Sequence, residues 1–290
     1  MSFLTPIDCP RCGAPLPPDA IGASVATCPY CDGTLAADPR VVWAARYERA
    51  LGTLADPDLV HVGARPYVVE GLLAAGESSD VYLARRATTP TERVVLKVPR
   101  TPADGGRLAA EWSALEALHE STAAGSSHFT MRLPQLVDRG ALDGVVASVM
   151  RFSSGFVHTL ADVKATHGDA LDPRHAVWIW RRALELLAFV HASGWAHGAL
   201  VSEHLLVHAR DHGLMFVGWS RAAPLVDPAA DLSLLGETIA SLCPLPTPLS
   251  SLTHTSKHDA WALCEEVKRA ARDVFGPARY VALHMPDHRA

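Results

Sequence analysis

The residues best suited to chemistry are four cysteines near the N-terminus, Cys9, Cys12, Cys28 and Cys31. They form two C-x-x-C pairs, Cys9-Pro-Arg-Cys12 and Cys28-Pro-Tyr-Cys31, with fifteen residues between them. Two such knuckles can turn four thiolates toward one centre, the tetrahedral set that holds zinc. Four protein thiolates leave no position for water or substrate, so the metal would be structural rather than catalytic. Gly13-Ala14-Pro15 and Asp32-Gly33 follow the knuckles and supply turns that bring backbone amides to the sulfurs. A redox dithiol pair is the competing chemistry, and two matched knuckles favour the metal. Cys243 and Cys264 stand alone beside Leu242 and Leu263 and read as small buried hydrophobes.

A segment this short cannot bury a core of its own, so zinc would supply most of its folding free energy, on the order of 10 kcal/mol. Residues 1–37 resemble a zinc ribbon. Asp8, Asp19, Asp32 and Asp38 set against Arg11 make nucleic acid a poor partner for it. Asp38-Pro39 then opens a helix, with Trp43, Tyr47, Ala50 and Leu51 at helical spacing before Gly52. Residues 38–60 are expected to form a connector whose apolar stripe buries against the larger domain.

The chain has 290 residues, 49% of them hydrophobic, enough for at least one sizeable core. A formal net charge of -5 gives no long-range attraction to phosphate backbones or anionic lipid. Met1 to Pro6 lacks a basic segment followed by an apolar run, and no later stretch has the length to cross a bilayer. The expectation is a cytoplasmic globular protein with no nucleic-acid or membrane partner.

From Arg65 the pattern turns to strands: Tyr67–Val69, Val81–Ala84 and Val94–Val98. Ala74-Ala-Gly76-Glu-Ser-Ser-Asp-Val81 is a hairpin followed by valine, Val95-Leu-Lys97 ends a strand, and Glu111, Leu115 and Leu118 share a helix face. Val145–Met150 is a further strand, and Asp172-Pro173 caps a long helix carrying Val177, Trp180, Leu184, Leu187 and Val190 before Gly194. In this order the segments resemble protein kinases. The resemblance implies an α+β, bilobal protein-kinase-like fold preceded by the ribbon: an antiparallel N-lobe over 61–153 and a mainly helical, truncated C-lobe over 154–290. It places Gly76 in the glycine-rich hairpin, Lys97 and Glu111 as an ion pair, and Met150 as gatekeeper before the hinge at Arg151 to Ser153.

Next comes His197-Gly-Ala-Leu-Val-Ser-Glu-His204-Leu-Leu-Val207, which aligns without gaps to H-R-D-L-x-x-x-N and its trailing strand. Ala199 replaces the aspartate that steers the acceptor hydroxyl, and a methyl group cannot accept its proton. His204 replaces an asparagine that binds magnesium, a hard ion that prefers oxygen. Gly218-Trp219-Ser220 stands where the family has D-F-G, so the main magnesium carboxylate is absent as well. Only ten residues separate Ser220 from Asp231, and no A-P-E sequence follows. Asp231 resembles the aspartate that braces the catalytic loop, and His197 resembles that loop's structural histidine. The resemblance with these departures implies a pseudokinase scaffold or adaptor for protein partners, with no catalytic residues. The alternative is a nucleotide sensor or atypical ATP-dependent transferase retaining Lys97 and Glu111. ATP would then bind weakly, with little magnesium dependence. His204, His208 and His212 recur every fourth residue but fall on a loop, a strand and a turn, so they form no helical face. Trp178 and Trp180 point to different sides of one helix, one toward the core.

Overall fold

The computed structural model describes residues 8–9, 12–16, 25–31, 34–36, 59–87, 91–254 and 259–286. The expected connector over 38–60 lies outside the described residues as far as 58, and Leu59 and Val60 open a strand. The chain divides into two compact units. One comprises Met1–Gly76, Asp80–Val98 and Asp138–Gly155; the other comprises Glu77–Ser79, Pro99–Val137 and Phe156–Ala290. The segment 99–137, read from sequence as part of the N-lobe, therefore groups with the helical unit.

The first unit begins with a small hairpin of β1 (Val25–Thr27) and β2 (Thr34–Ala36), paired antiparallel. Its main body is a six-stranded sheet built from β3 (Leu59–Val62), β4 (Arg65–Ala75), β5 (Ser79–Arg86), β6 (Arg93–Pro99), β7 (Leu136–Leu142) and β8 (Val145–Arg151). The strand order is β3-β4-β5-β6-β8-β7, with antiparallel pairing of β3 to β4, β4 to β5 and β6 to β8. These are the valine-rich runs that favour a pleated, half-buried surface. Asp143 and Gly144 join β7 to β8 at φ 49° and 85°, the paired left-handed conformation of a two-residue hairpin turn. Tyr67 is fully buried and donates its hydroxyl to Asp138 at 3.0 Å, tying β4 to β7.

The second unit is built on α1 (Gly105–His119), α2 (Leu160–His167), α3 (Pro173–Ala192), α4 (Pro228–Ala240) and α5 (Ala260–Phe275). Asp172 caps α3 by accepting from the Arg174 amide at 2.9 Å, and Gly194, at φ 80°, lies just beyond its end. The buried face of α3 carries Val177, Trp180, Leu184, Leu187 and Val190, the residues grouped by their spacing. Strands β9 (His158–Thr159), β11 (Leu205–His208) and β12 (Gly213–Phe216) form a small sheet that carries the loop after His197, while β10 (Trp195–Ala196) pairs with β13 (Ala223–Pro224). Gly236 lets α4 pass the carbonyl of Thr253, where a Cβ would overlap the oxygen.

The segment after α5 lies along the unit's own surface. Trp178 stacks on His212 at 4.3 Å, and His212 stacks in turn on Tyr280 at 4.4 Å. His212 Nε2–H donates to the Val281 carbonyl and His167 Nε2–H to that of His284, each at 2.9 Å. Among the described residues, no helix is long and apolar enough to cross a membrane.

Candidate functional site

The four N-terminal sulfurs converge as their spacing predicts. All lie within 4.8 Å of one another, with Cys9 to Cys31 at 3.8 Å and Cys12 to Cys28 at 3.7 Å. A zinc ion bonded at about 2.3 Å to four tetrahedral sulfurs requires edges of about 3.8 Å, which these two pairs match while the set as a whole stays within 4.8 Å. None of the four is joined in a disulfide. Tight backbone turns shape the first knuckle, where the Cys9 amide donates to Ala14 and the Gly13 amide to Cys9, both at 2.7 Å. Burial raises the Cys28 thiol, but amides of Tyr30 and Cys31 and the neighbouring sulfurs together hold it below its ordinary value. At Cys12 burial pushes the thiol far up, and the other three sulfurs add to this against the Ala14 backbone. Crowded thiols split in this way fit a dication that would let all four ionise.

The second cluster forms around the loop from His197 to His204. Asp231, buried in the first turn of α4, accepts from the amides of His197 and Gly198, each at 2.8 Å, and from His191 Nε2 at 3.1 Å. Burial pushes its carboxyl up, but the His191 bond and the two amides outweigh this and leave it below the ordinary carboxylate range. The helix itself is capped upstream by Asp227, which accepts from the Ala229 amide at 2.9 Å, so Asp231 is spared for the loop. Thr238, about two turns further along α4, donates to the Leu200 carbonyl at 2.7 Å. His197 is fully buried; its Nε2–H donates to Val217 at 3.1 Å while its Nδ1 faces the Ala199 amide at 3.3 Å. These bonds define the loop's backbone, and the histidine is part of the core.

Ala199, His204 and Gly218 meet inside this frame. His204 Nδ1–H donates to the Ala199 carbonyl at 2.8 Å, and its own carbonyl accepts from the Val217 amide at 2.9 Å. That holds the imidazole against Gly218, which sits in the left-handed region at φ 75°, ψ 48°. A Cβ placed on Gly218 would lie 2.6 Å from both Cγ and Nε2 of His204, and closer still to Cδ2. The ring thus occupies the space through which a side chain at 218 would leave the backbone. Glu203 is the sole carboxylate between His197 and Leu205; it is exposed and accepts from Ser202 at 3.2 Å.

The remaining candidates divide between the units. Lys97, 7% exposed, lies on β6 opposite Ser148, and Met150, also buried, lies opposite Val95 on the same strand pair. Gly76 follows the end of β4. Glu111 belongs to the second unit, where its Oε1 accepts from the buried Trp219 amide at 3.0 Å. Trp219 fills the core there, its Nε1–H donating to the Phe216 carbonyl at 3.0 Å and its ring lying 4.4 Å from that of His197. His191 is a participant that spacing alone did not single out; its one signal was a polar residue following the apolar run 186–190 in the last turn, close before Gly194. Nothing in the linear pattern announced that residues 204 and 218 exclude one another.

No protein-family model matches this chain, and no curated protein matches it. Among solved structures it is similar to one described as "Crystal structure of BubR1 kinase domain", with a TM-score of 0.59 and 11% sequence identity. That likeness covers 81% of this chain and 92% of the other. The fold is therefore protein-kinase-like, with an antiparallel sheet and helices.

Proposed function

We propose that this chain is a catalytically inactive, protein-kinase-like scaffold or adaptor for protein partners, preceded by a zinc ribbon. The single observation that carries the reading is the contact of His204 with Gly218. Both magnesium-ligand positions of the resemblance fall here, and the imidazole at one leaves no exit for a carboxylate at the other. Ala199 beside them offers no base. Around these three residues the architectural bonds persist: Asp231 to the loop amides, Thr238 to Leu200, His197 to Val217. A site that keeps its brace without its reacting groups suits a surface to be presented rather than a reaction to be driven. We assign residues 1–37 to the ribbon, 38–60 to its connector, and 61–153 and 154–290 to the two lobes.

Cys9, Cys12, Cys28 and Cys31 would hold zinc, whose role is to fold the ribbon and fix its surface. The ribbon's acidity directs it toward protein and away from nucleic acid, and the cytoplasm is the compartment this composition fits. The test is incubation of the purified chain with labelled ATP and magnesium or manganese. No transfer to itself or to added protein is expected; transfer abolished by Lys97→Ala would overturn the reading.

A second reading, a nucleotide-binding sensor or atypical transferase, is motivated by the retention of Lys97 and Glu111, each buried within its own unit, with Gly76 and Met150 as its further candidate residues. ATP would bind weakly and without magnesium dependence. A ligand selective for the folded state raises apparent stability, so an unchanged melting temperature in saturating ATP removes this reading.

A further inference from the structure

One charged cluster of the second unit plays no part in the proposed scaffold. Glu77 lies in the turn between β4 and β5, within the short segment Glu77–Ser79 that belongs to the helical unit. Arg221 Nη2 donates to its Oε2 at 2.6 Å, and Arg107 Nη1 donates to its Oε1 at 3.3 Å. One carboxylate is thus shared by guanidiniums from two separate elements, the start of α1 and the turn just after Gly218. Arg221, then Arg107, holds the Glu77 carboxyl below its usual range.

Two cations share one negative charge in this cluster, which leaves an excess of one. Arg107 also stands in the opening turn of α1, where the helix dipole favours an anion; the turn itself holds no acidic residue, and the Asp104 carboxylate at the N-cap is engaged by the Thr101 hydroxyl. All three side chains are about half exposed or more, so water and solutes reach them and the ion pairs are individually weak. Guanidiniums converging on one point suit a phosphate group better than a carboxylate, because a phosphate brings nearly two charges and three acceptor oxygens. We propose that Arg107 and Arg221 form a binding site for a phosphate dianion, that Glu77 is its built-in competitor, and that ligand binding releases the Glu77–Ser79 turn. The same chemistry is offered by free phosphate, a phosphorylated peptide and the terminal group of a nucleotide.

The experiment titrates the full chain with inorganic phosphate by calorimetry at low ionic strength, with chloride as the control. Glu77→Gln removes the competitor and should bind phosphate about five- to tenfold more tightly, the worth of two exposed ion pairs. Adding Arg107→Gln and Arg221→Gln to that variant should abolish the gain. Phosphate should also speed amide exchange at Glu77–Ser79 in the unmodified chain. Parallel arms use a phosphoserine peptide and magnesium-free ATP to identify the source. Equal affinities with and without Glu77, or affinity that survives loss of both arginines, would overturn the site. So would binding confined to ATP and lost in Lys97→Ala, since the phosphate would then be held elsewhere. All three positions are exposed, and thermal unfolding of each variant confirms that folding is retained.

Discussion

If the His204 ring bars a side chain at position 218, the two positions must be energetically coupled, and the coupling can be sized. Gly218→Ala places a Cβ at φ 75°, which costs about 1–2 kcal/mol for an L-residue in the left-handed region. The Cβ also lies 2.6 Å from two ring atoms of His204, so the imidazole must move. Moving it gives up the 2.8 Å bond to the Ala199 carbonyl, about 1 kcal/mol, and overpacks the surroundings by about 1–3 kcal/mol. The single substitution should therefore destabilise by about 3–6 kcal/mol. His204→Ala alone should cost about 1 kcal/mol, and in its background Gly218→Ala should cost only the backbone part. Urea denaturation of the four proteins closes the cycle, with an expected coupling of about 2–4 kcal/mol. Additivity within about 0.5 kcal/mol would refute the steric argument, because uncoupled neighbours behave that way. Gly218→Asp with His204→Asn should then restore two oxygen ligands and give a magnesium-dependent rise in melting temperature with ATP. Phosphoryl transfer should stay absent while Ala199 remains.

Chelation of the chain should release one zinc per molecule, read with a colorimetric indicator, and expose four titratable thiols while the melting transition of the kinase-like body persists; Cys9→Ser should halve zinc retention or worse. Asp231→Ala strands the buried His197 amide, the part-buried Gly198 amide and the His191 ring, so a loss of about 3–5 kcal/mol is expected in chemical denaturation. Because the Asp231 carboxyl is lowered on folding, its contribution is present above the ordinary carboxylate value and lost as pH falls through the lowered one; in an acid titration Asp231→Ala, less stable at neutral pH, should therefore lose less stability than the parent over that window. Burial lowers both His175 and His212, so folding favours their neutral rings. Stability from them should be full above the ordinary histidine value of about 6.5 and fall as pH drops below it, with melting temperatures from pH 7.5 to 5.5 as the check and His212→Gln flattening the slope.

Helix α3 was legible from Asp172-Pro173 at one end and Gly194 at the other, because capping and left-handed termination are local. The convergence of the four cysteines was legible for a similar reason, since two short knuckles can make only a few shapes. The order of strands, helices and loop from Tyr67 to Asp231 announced the fold through segments that each carry their own periodicity. The start of α4 was not legible in advance: Asp227 caps it, while Asp231, four residues on, is drawn to amides more than thirty residues earlier.

The sequence by itself determined which groups are present at the reacting positions, a methyl, an imidazole and a bare glycine, because chemistry follows residue type. Only the tertiary structure decided that the imidazole and the glycine require each other, that Glu111 takes the Trp219 amide 108 residues away, and that Glu77 answers two arginines from separate elements. Such contacts join residues far apart in the chain, and their energies depend on distances that no local pattern encodes.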